Sequence, residues 1–498
     1  MGELDTDFSV VSCENLHGRR KVFTDRRAVT DENVLEVLGK TLPIFQKNKA
    51  ESKYLYDVYR GIQDIRHKEK MVRPEINNKI TVNIANQIVA FDSAYFMNGP
   101  VQYVSSGEEK DVSDDIKRLN DFMRAEDKES RDKEIVDWQL ICGQSIRMII
   151  PAEEGDESGS PFKVYTLSPM EAYVIYHSGI GHKKLAGVIE QRDQDGNTYY
   201  CVYTKDKYYE IQDGKIITNL PRTLHVVPLV EYIDNLPRIG AFEIVLPILN
   251  GINDLESSRV DNVQDFVNAY DVFQNCEISD DAYRTLTQGG QAIQIKSSTQ
   301  GIESKVYRIT SELSQSGVQT AIDDLTDRYI EICGLPNRNG GLSTSDTGVA
   351  VQYRDGWAEA DSREHGREKL FDKSENESLD IALKICADAV GMTLKLSDIK
   401  IEHAHNNLSN MQSRMQILCE GLANEKIHPK IPWLVSGMPN TEEWYQMSMD
   451  WYEKNQAEME QSLRREVDAE NGQSVLPGGS SGGTSEQEGD QAVRGGAE

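Results

Sequence analysis

The sequence lacks any apolar run of about 18 residues, so a membrane span is not expected in its 498 residues. From Met1 to Arg27 charged and polar residues alternate, without the apolar core of a secretory signal. The chain is therefore expected to stay in the compartment where it is made. Cysteine is sparse and scattered: Cys13, Cys142, Cys201, Cys276, Cys333, Cys386 and Cys419 form no C-x-x-C pair and no close Cys/His grouping. That pattern fits reduced, packed thiols and excludes a disulfide framework or an obvious zinc site. Hydrophobic residues reach only 38% beside 27% charged, which suits an elongated or multi-part chain better than one large core. At about 100–200 residues per domain, two to four units are expected. Positive charge is short as well, with 54 basic against 82 acidic residues and a net charge of −28. A surface that grips nucleic acid needs a basic patch to neutralise phosphates. This balance argues against such a grip, but it is compatible with a wall past which DNA slides and with plain acidic solubility.

Catalytic signatures are also missing. No G-x-x-x-x-G-K-[ST] string cradles a nucleotide phosphate, so ATP hydrolysis is not encoded. The carboxylate pairs Asp114-Asp115, Asp280-Asp281 and Asp323-Asp324 are the raw material of a metal-dependent nuclease. Adjacent residues on a helix point apart, however, and 82 acids make such neighbours unavoidable, so they read as solvated surface. His403 and His405 share one face of a predicted strand without further ligands nearby, which leaves a structural role. Met411, Met415, Met438, Met447 and Met449 read as packing material. No catalytic residue, metal or cofactor is expected.

What is present is a helix–sheet–helix order, predicting an α+β, mainly helical fold. Leu35, Leu38, Leu42, Phe45, Leu55 and Val58 recur at helical spacing over Asp31–Gly61. Further helices are expected over Ile80–Phe96 and Asp114–Leu140. From Gln144 to Tyr232 the period becomes two, with reversals at Asp195-Gly196-Asn197 and Asp213-Gly214. A helix over Phe242–Phe273 follows, with Leu246, Leu249, Ile252, Val263, Phe266 and Tyr270 on one stripe and Pro247 tolerable only in its first turn or as a kink. A mixed insert separates it from a second helix, Ser316–Cys333. There Val318, Ile322, Leu325, Tyr329 and Ile332 make a packing seam. Asn337–Asp346 is rich in Gly, Asn and Ser, a loop that caps the next helix. That helix, Gly348–Val390, would span about 60 Å, with Gly356 and Gly366 as candidate bends. Short helices occupy His405–Met449, and a Gly/Ser/Glu tail after Asn471 reads as disordered.

Several strings, in order over about 350 residues, resemble the phage portal proteins of the SPP1 Gp6-like family. They are Tyr54-Leu55-Tyr56-Asp57-Val58-Tyr59-Arg60-Gly61, Asn77-Asn78-Lys79-Ile80-Thr81-Val82-Asn83, Ile88-Val89 and Gly99-Pro100-Val101-Gln102-Tyr103. Val227-Pro228-Leu229-Val230-Glu231-Tyr232, Phe266-Val267-Asn268-Ala269-Tyr270, Gly334-Leu335-Pro336 and Thr347-Gly348-Val349-Ala350-Val351-Gln352-Tyr353 complete the set. The resemblance implies a non-enzymatic ring of about twelve subunits around a channel at one capsid vertex, serving packaging and ejection of double-stranded DNA. It implies a portal fold: a flexible N-terminal arm at 1–30, a wing at 31–236, stem helices at 237–273 and 313–334, a clip at 274–312 and a tunnel loop at 335–347. A long kinked wing helix at 348–395, a helical crown at 396–470 and a disordered tail at 471–498 complete it. Implied partners are a terminase that supplies ATP hydrolysis, scaffold and major capsid protein, and a head-completion or adaptor protein, with no membrane. Asn337, Arg338, Asn339, Ser343 and Thr344 would then line the channel, Arg338 making transient phosphate contacts. The implied location is the virion's portal vertex, reached from the host cytoplasm. Pro247 and the segment Glu425-Lys426-Ile427-His428-Pro429 depart from the family pattern. A different neck or tail ring protein and, further off, a metal-dependent nuclease are the alternative readings.

Overall fold

The computed structural model describes residues 11–456 except 14–15, 72–73, 107–111, 154, 268–269, 278–295, 298–304, 310–314, 338–355, 404–410, 425, 437–440 and 442–443. It divides into two units, Met1–Asn406 and Asn407–Glu498. Of the flexible arm expected at 1–30, residues 1–10 and 14–15 lie outside the described residues, and part of the remainder is packed. Strand β1 (Val22–Thr24) pairs in parallel with β5 (Ala172–His177), and Arg19 is buried with its guanidinium on Glu51 at 3.1 Å and Glu243 at 2.7 Å. Burying an arginine this deeply requires such paired carboxylates.

Helix α1 (Val34–Tyr59) and α2 (Ile84–Phe96) form where the periodicity places them. The single helix expected over Asp114–Leu140 is instead two, α3 (Ser113–Ala125) and α4 (Lys128–Cys142). Asp127 between them is left-handed at φ +52°, a conformation no helix continues through. The break frees Glu126, whose carboxylate accepts from Lys163 Nζ at 3.1 Å and Val164 N at 3.4 Å.

The period-two region folds as two sheets whose strands pair antiparallel, apart from the parallel edge pair β1–β5. One sheet runs β1-β5-β6-β7-β8-β9, with β6 (Lys184–Arg192), β7 (Thr198–Thr204), β8 (Lys207–Gln212) and β9 (Lys215–Pro221). The other is β10-β3-β4, from β3 (Gln144–Pro151), β4 (Phe162–Leu167) and β10 (Leu229–Ile233). Asp213 and Gly214 both have positive φ, +49° and +71°, the backbone a two-residue hairpin of the right twist requires. Gly143 enters β3 at φ +79°, and a Cβ there would lie 2.1 Å from the Arg238 carbonyl oxygen. Between sheet and helix, Phe45 of α1 stacks on Tyr173 of β5 at 4.5 Å, inside a cluster with Val37, Leu38, Ile175, Val188 and Val202.

The long helix α7 (Trp357–Val390) crosses this frame. Its described start is Gly356, left-handed at φ +84°, so Gly356 is a boundary and not a bend; residues 348–355 lie outside the described residues. A buried ionic cluster fastens it. Glu375 of α7 meets Arg147 of β3 at 2.8 Å and Lys128 of α4 at 3.2 Å, while Asp132 pairs with both cations. Tyr232 donates to Glu375 Oε2 at 2.6 Å, and Tyr103 to the other oxygen. Two cations against two anions leave the cluster neutral, which is why it tolerates burial.

Beyond α7, β15 (Ile399–Glu402) pairs with β2 (Gln102–Ser105), Ile399 opposite Ser105. This backbone pairing ties residues after Leu396, expected to open the crown, into the first unit. In the second unit α8 (Met411–Leu422) packs on α9 (Lys430–Ser436). Gly421 allows this, since a Cβ there would stand 2.6 Å from Pro432 Cβ.

Candidate functional site, a helix pair and the junction beyond it

Two helices, α5 (Leu246–Val267) and α6 (Gln315–Cys333), bracket the insert. The first is shorter than the expected Phe242–Phe273. A 3-10 turn over Glu243–Val245 leads into it, and strand β11 begins at Tyr270. Pro247 is the second residue of α5, where its missing N–H costs nothing. The insert rests on a ribbon in which β11 (Tyr270–Gln274) pairs with β14 (Lys305–Ile309) and β12 (Cys276–Glu277) with β13 (Lys296–Ser297). Along α6, Ile322 and Tyr329 are buried, Val318 and Leu325 half-buried, and Ile332 is 39% exposed. Within this chain Cys333 ends the buried face in place of Ile332, a step of four from Tyr329 instead of three. Leu325 comes within 3.7 Å of where a Gly251 Cβ would sit, and Arg259 donates to Gln319 at 2.8 Å.

The buried face of α5 changes character along its length. Leu246, Leu249 and Ile252 are followed by buried Asn253, Ser257 and Asp261, while Val263, expected on the apolar stripe, is 51% exposed. The three polar residues accept a row of backbone N–H groups from an extended segment: Val82 to Asn253 Oδ1 at 2.8 Å, Ile80 to Ser257 Oγ at 3.0 Å and Asn78 to Asp261 Oδ1 at 2.7 Å. Four helical residues rise about 6 Å and two extended residues about 6.6 Å, so the registers match over the two steps between the three rungs. Asn253 also donates to Gln63 at 2.6 Å, and Asn83 closes the row by accepting from Asn86 N at 3.4 Å to cap α2. This ladder escaped the apolar-stripe reading, although its signal, small polar residues at four-residue steps, stands in the sequence.

Helix α6 ends at Gly334, left-handed at φ +66°, where a Cβ would meet Arg363 Nε at 2.3 Å. Arg363 of α7 donates to the Ile332 carbonyl at 3.1 Å and pairs with Glu359 at 2.9 Å, binding the end of one helix to the start of the other. Of the expected channel residues, Asn337 is half-buried beside this junction; Arg338, Asn339, Ser343 and Thr344 lie outside the described residues. Next to the junction is a cavity of about 240 Å³ lined by Tyr95, Cys333, Gly334, Arg363, Glu364 and Arg367 among others. Arg367 bridges Asp234 at 2.6 Å and Asp92 at 3.2 Å. Burial pushes the Asp92 carboxyl up despite that guanidinium, and it raises the Cys333 thiol to about 12, which makes it a poor nucleophile. Glu364 is raised to about 7, first by burial, then by Glu368 and Asp361. Arg363, Glu364, Arg367, Asp92 and Asp234 were not singled out from the sequence.

Among the described residues no group of three or more His, Cys, Asp or Glu side chains could hold a metal ion. Asp323 and Asp324 are exposed on α6, Asp280 and Asp281 lie outside the described residues, and His403 follows β15 with its Nε2 2.7 Å from Asp372. No helix among the described residues is long and apolar enough to cross a membrane. The family described as phage portal protein, SPP1 Gp6-like, matches residues 38–462. No curated protein matches the chain.

Proposed function

This chain belongs to the SPP1 Gp6-like family of phage portal proteins, and from that premise we propose that about twelve copies close into a ring around a DNA channel at the capsid vertex. The observation that carries the reading is the family match across 38–462. In this ring α5 and α6 are the stem, the ribbon-based insert is the clip, and the sheets with α1–α4 and α7 are the wing. The second unit is the crown. Side-by-side copies supply cover for Ile332 and Val263, which one chain leaves exposed.

The loop between Gly334 and Gly356 carries Arg338, Asn339, Ser343 and Thr344 towards DNA, with both of its ends fixed by the Arg363 junction. Polar side chains with one cation contact phosphates briefly and do not hold them. An acidic lumen repels phosphates within about 8 Å at physiological salt, so DNA slides. Terminase, scaffold, capsid and head-completion proteins are the proposed partners. The test is the solution mass of the purified chain by mass photometry. Twelve copies of a 56.1 kDa chain weigh about 670 kDa, and a species within one subunit of that supports the ring. A monomer at every concentration tried, with and without scaffold protein, overturns it.

A further inference from the structure

We propose that a basic cavity at one end of the six-stranded sheet docks an acidic, partly apolar peptide segment of a partner protein. The cavity measures about 870 Å³ and takes its walls from the 27–32 loop, the start of β6, the β7–β8 turn, the approach to β10 and α7. Six cations line it, Arg27, Lys183, Lys184, Lys205, Lys207 and Lys384, against the three acids Asp31, Glu32 and Asp206. Glu377 and Asp380, outside the lining, pair with Lys184 and Lys384, so the walls keep a modest excess of cations in a chain of 54 basic and 82 acidic residues.

Two of the three acids are already engaged. Asp31 pairs with Lys207 and accepts from Tyr209 at 2.7 Å, and Asp206 holds His225 at 2.7 Å. Among the described residues Arg27, Lys183 and Lys205 pair with no carboxylate, and all three are exposed. Lys184 is held at the rim by the Leu229 carbonyl at 2.8 Å and Glu377 at 3.1 Å. Its ammonium is pushed towards its neutral form by burial, a cost that an incoming anion reduces.

The volume lies in the range of about 300–1,000 Å³ that holds a compact ligand or short peptide. The lining favours carboxylates over phosphates. It contains no glycine to bring backbone N–H groups close, and Arg27 is its one guanidinium. Ala28, Leu185, Val226 and Val227 add apolar wall between the lysines, which suits a segment mixing Glu or Asp with aliphatic residues.

The test is fluorescence anisotropy on the full chain with a labelled eight-residue peptide alternating glutamate and leucine. Binding should weaken with added salt, and R27E/K183E/K205E should weaken it about tenfold by reversing three exposed charges. Because all three side chains are exposed, the variant should keep the circular dichroism and solution mass of the parent. If it does not fold, K183Q/K205Q replaces it, with a loss of several-fold expected. No peptide binding, or binding unchanged by these variants, overturns the proposal. Tighter binding of labelled single-stranded DNA at the same residues assigns the cavity to nucleic acid and also overturns it. A changed oligomeric mass in the folded variant alone assigns it to a second copy of this chain, with the same consequence.

Discussion

The guanidinium of Arg147 donates to Glu375 Oε2 at 2.8 Å across 228 residues of sequence, joining β3 to α7 where both side chains are buried. The Lys128 and Arg147 charges and two tyrosine hydroxyls hold the Glu375 carboxyl well below its usual range, outweighing its burial. Removing it with Glu375→Ala leaves two buried cations facing Asp132 alone. We expect a loss of about 3–5 kcal/mol, read by chemical denaturation. Because the folded carboxyl titrates below the unfolded one, its stabilisation is complete above pH 4.5 and fades as pH falls towards 2. A Glu375→Ala variant as stable as its parent at pH 7 would refute this account.

The helix-to-strap ladder makes a second prediction. Ser257→Ala strands the Ile80 N–H, at a cost of about 1–2 kcal/mol. Asp261→Ala costs more, about 2–3 kcal/mol, since it removes a charged acceptor serving both N–H groups of Asn78 at 2.7 Å. Hydrogen exchange should show faster exchange at Ile80 in the first variant and at Asn78 in the second. Unaltered protection at both amides would mean that the contacts do not hold the strap.

At the junction, Gly334→Ala forces a Cβ into a left-handed residue and against Arg363. The backbone strain alone is about 1–2 kcal/mol. A drop in melting temperature should be accompanied by greater protease sensitivity in the residues that follow. An unshifted melting curve would show that the junction adjusts freely.

Glu364 gives the opposite pH trend to Glu375. Its folded pKa of about 7 lies above the ordinary 4.5, so between those values the native state binds more protons than the unfolded one. Stability therefore falls as pH rises through that window. Asp361, Glu368, His365 and Arg367 all act on this carboxyl, and solvent screening reduces the effect to about 1 kcal/mol. Glu364→Gln should flatten this part of the stability–pH curve, measured by urea titration from pH 5 to 8. A variant curve parallel to the parent's assigns the slope to other groups.

Local pattern was enough for much of this molecule. Period-two segments with Asp-Gly reversals marked the sheet region, and the helix ends expected at Cys333 and Val390 are where the helices stop, because turn chemistry and burial periodicity act over a few residues. The order of short strings also identified the family. What tertiary structure alone decided involves distant partners. Whether Val263 or Ser257 faces inward depends on the strap at 78–82, whose N–H groups need acceptors once they are covered. The turn at Asp127 depends on Lys163 and Val164, which recruit Glu126. The pairing of Ile399–Glu402 with Gln102–Ser105, and the buried charges of Arg147 and Glu375, join segments separated by more than 200 residues. Such contacts satisfy buried polar groups only after the chain has folded, so a short window of sequence can show the polar residues but not their distant partners.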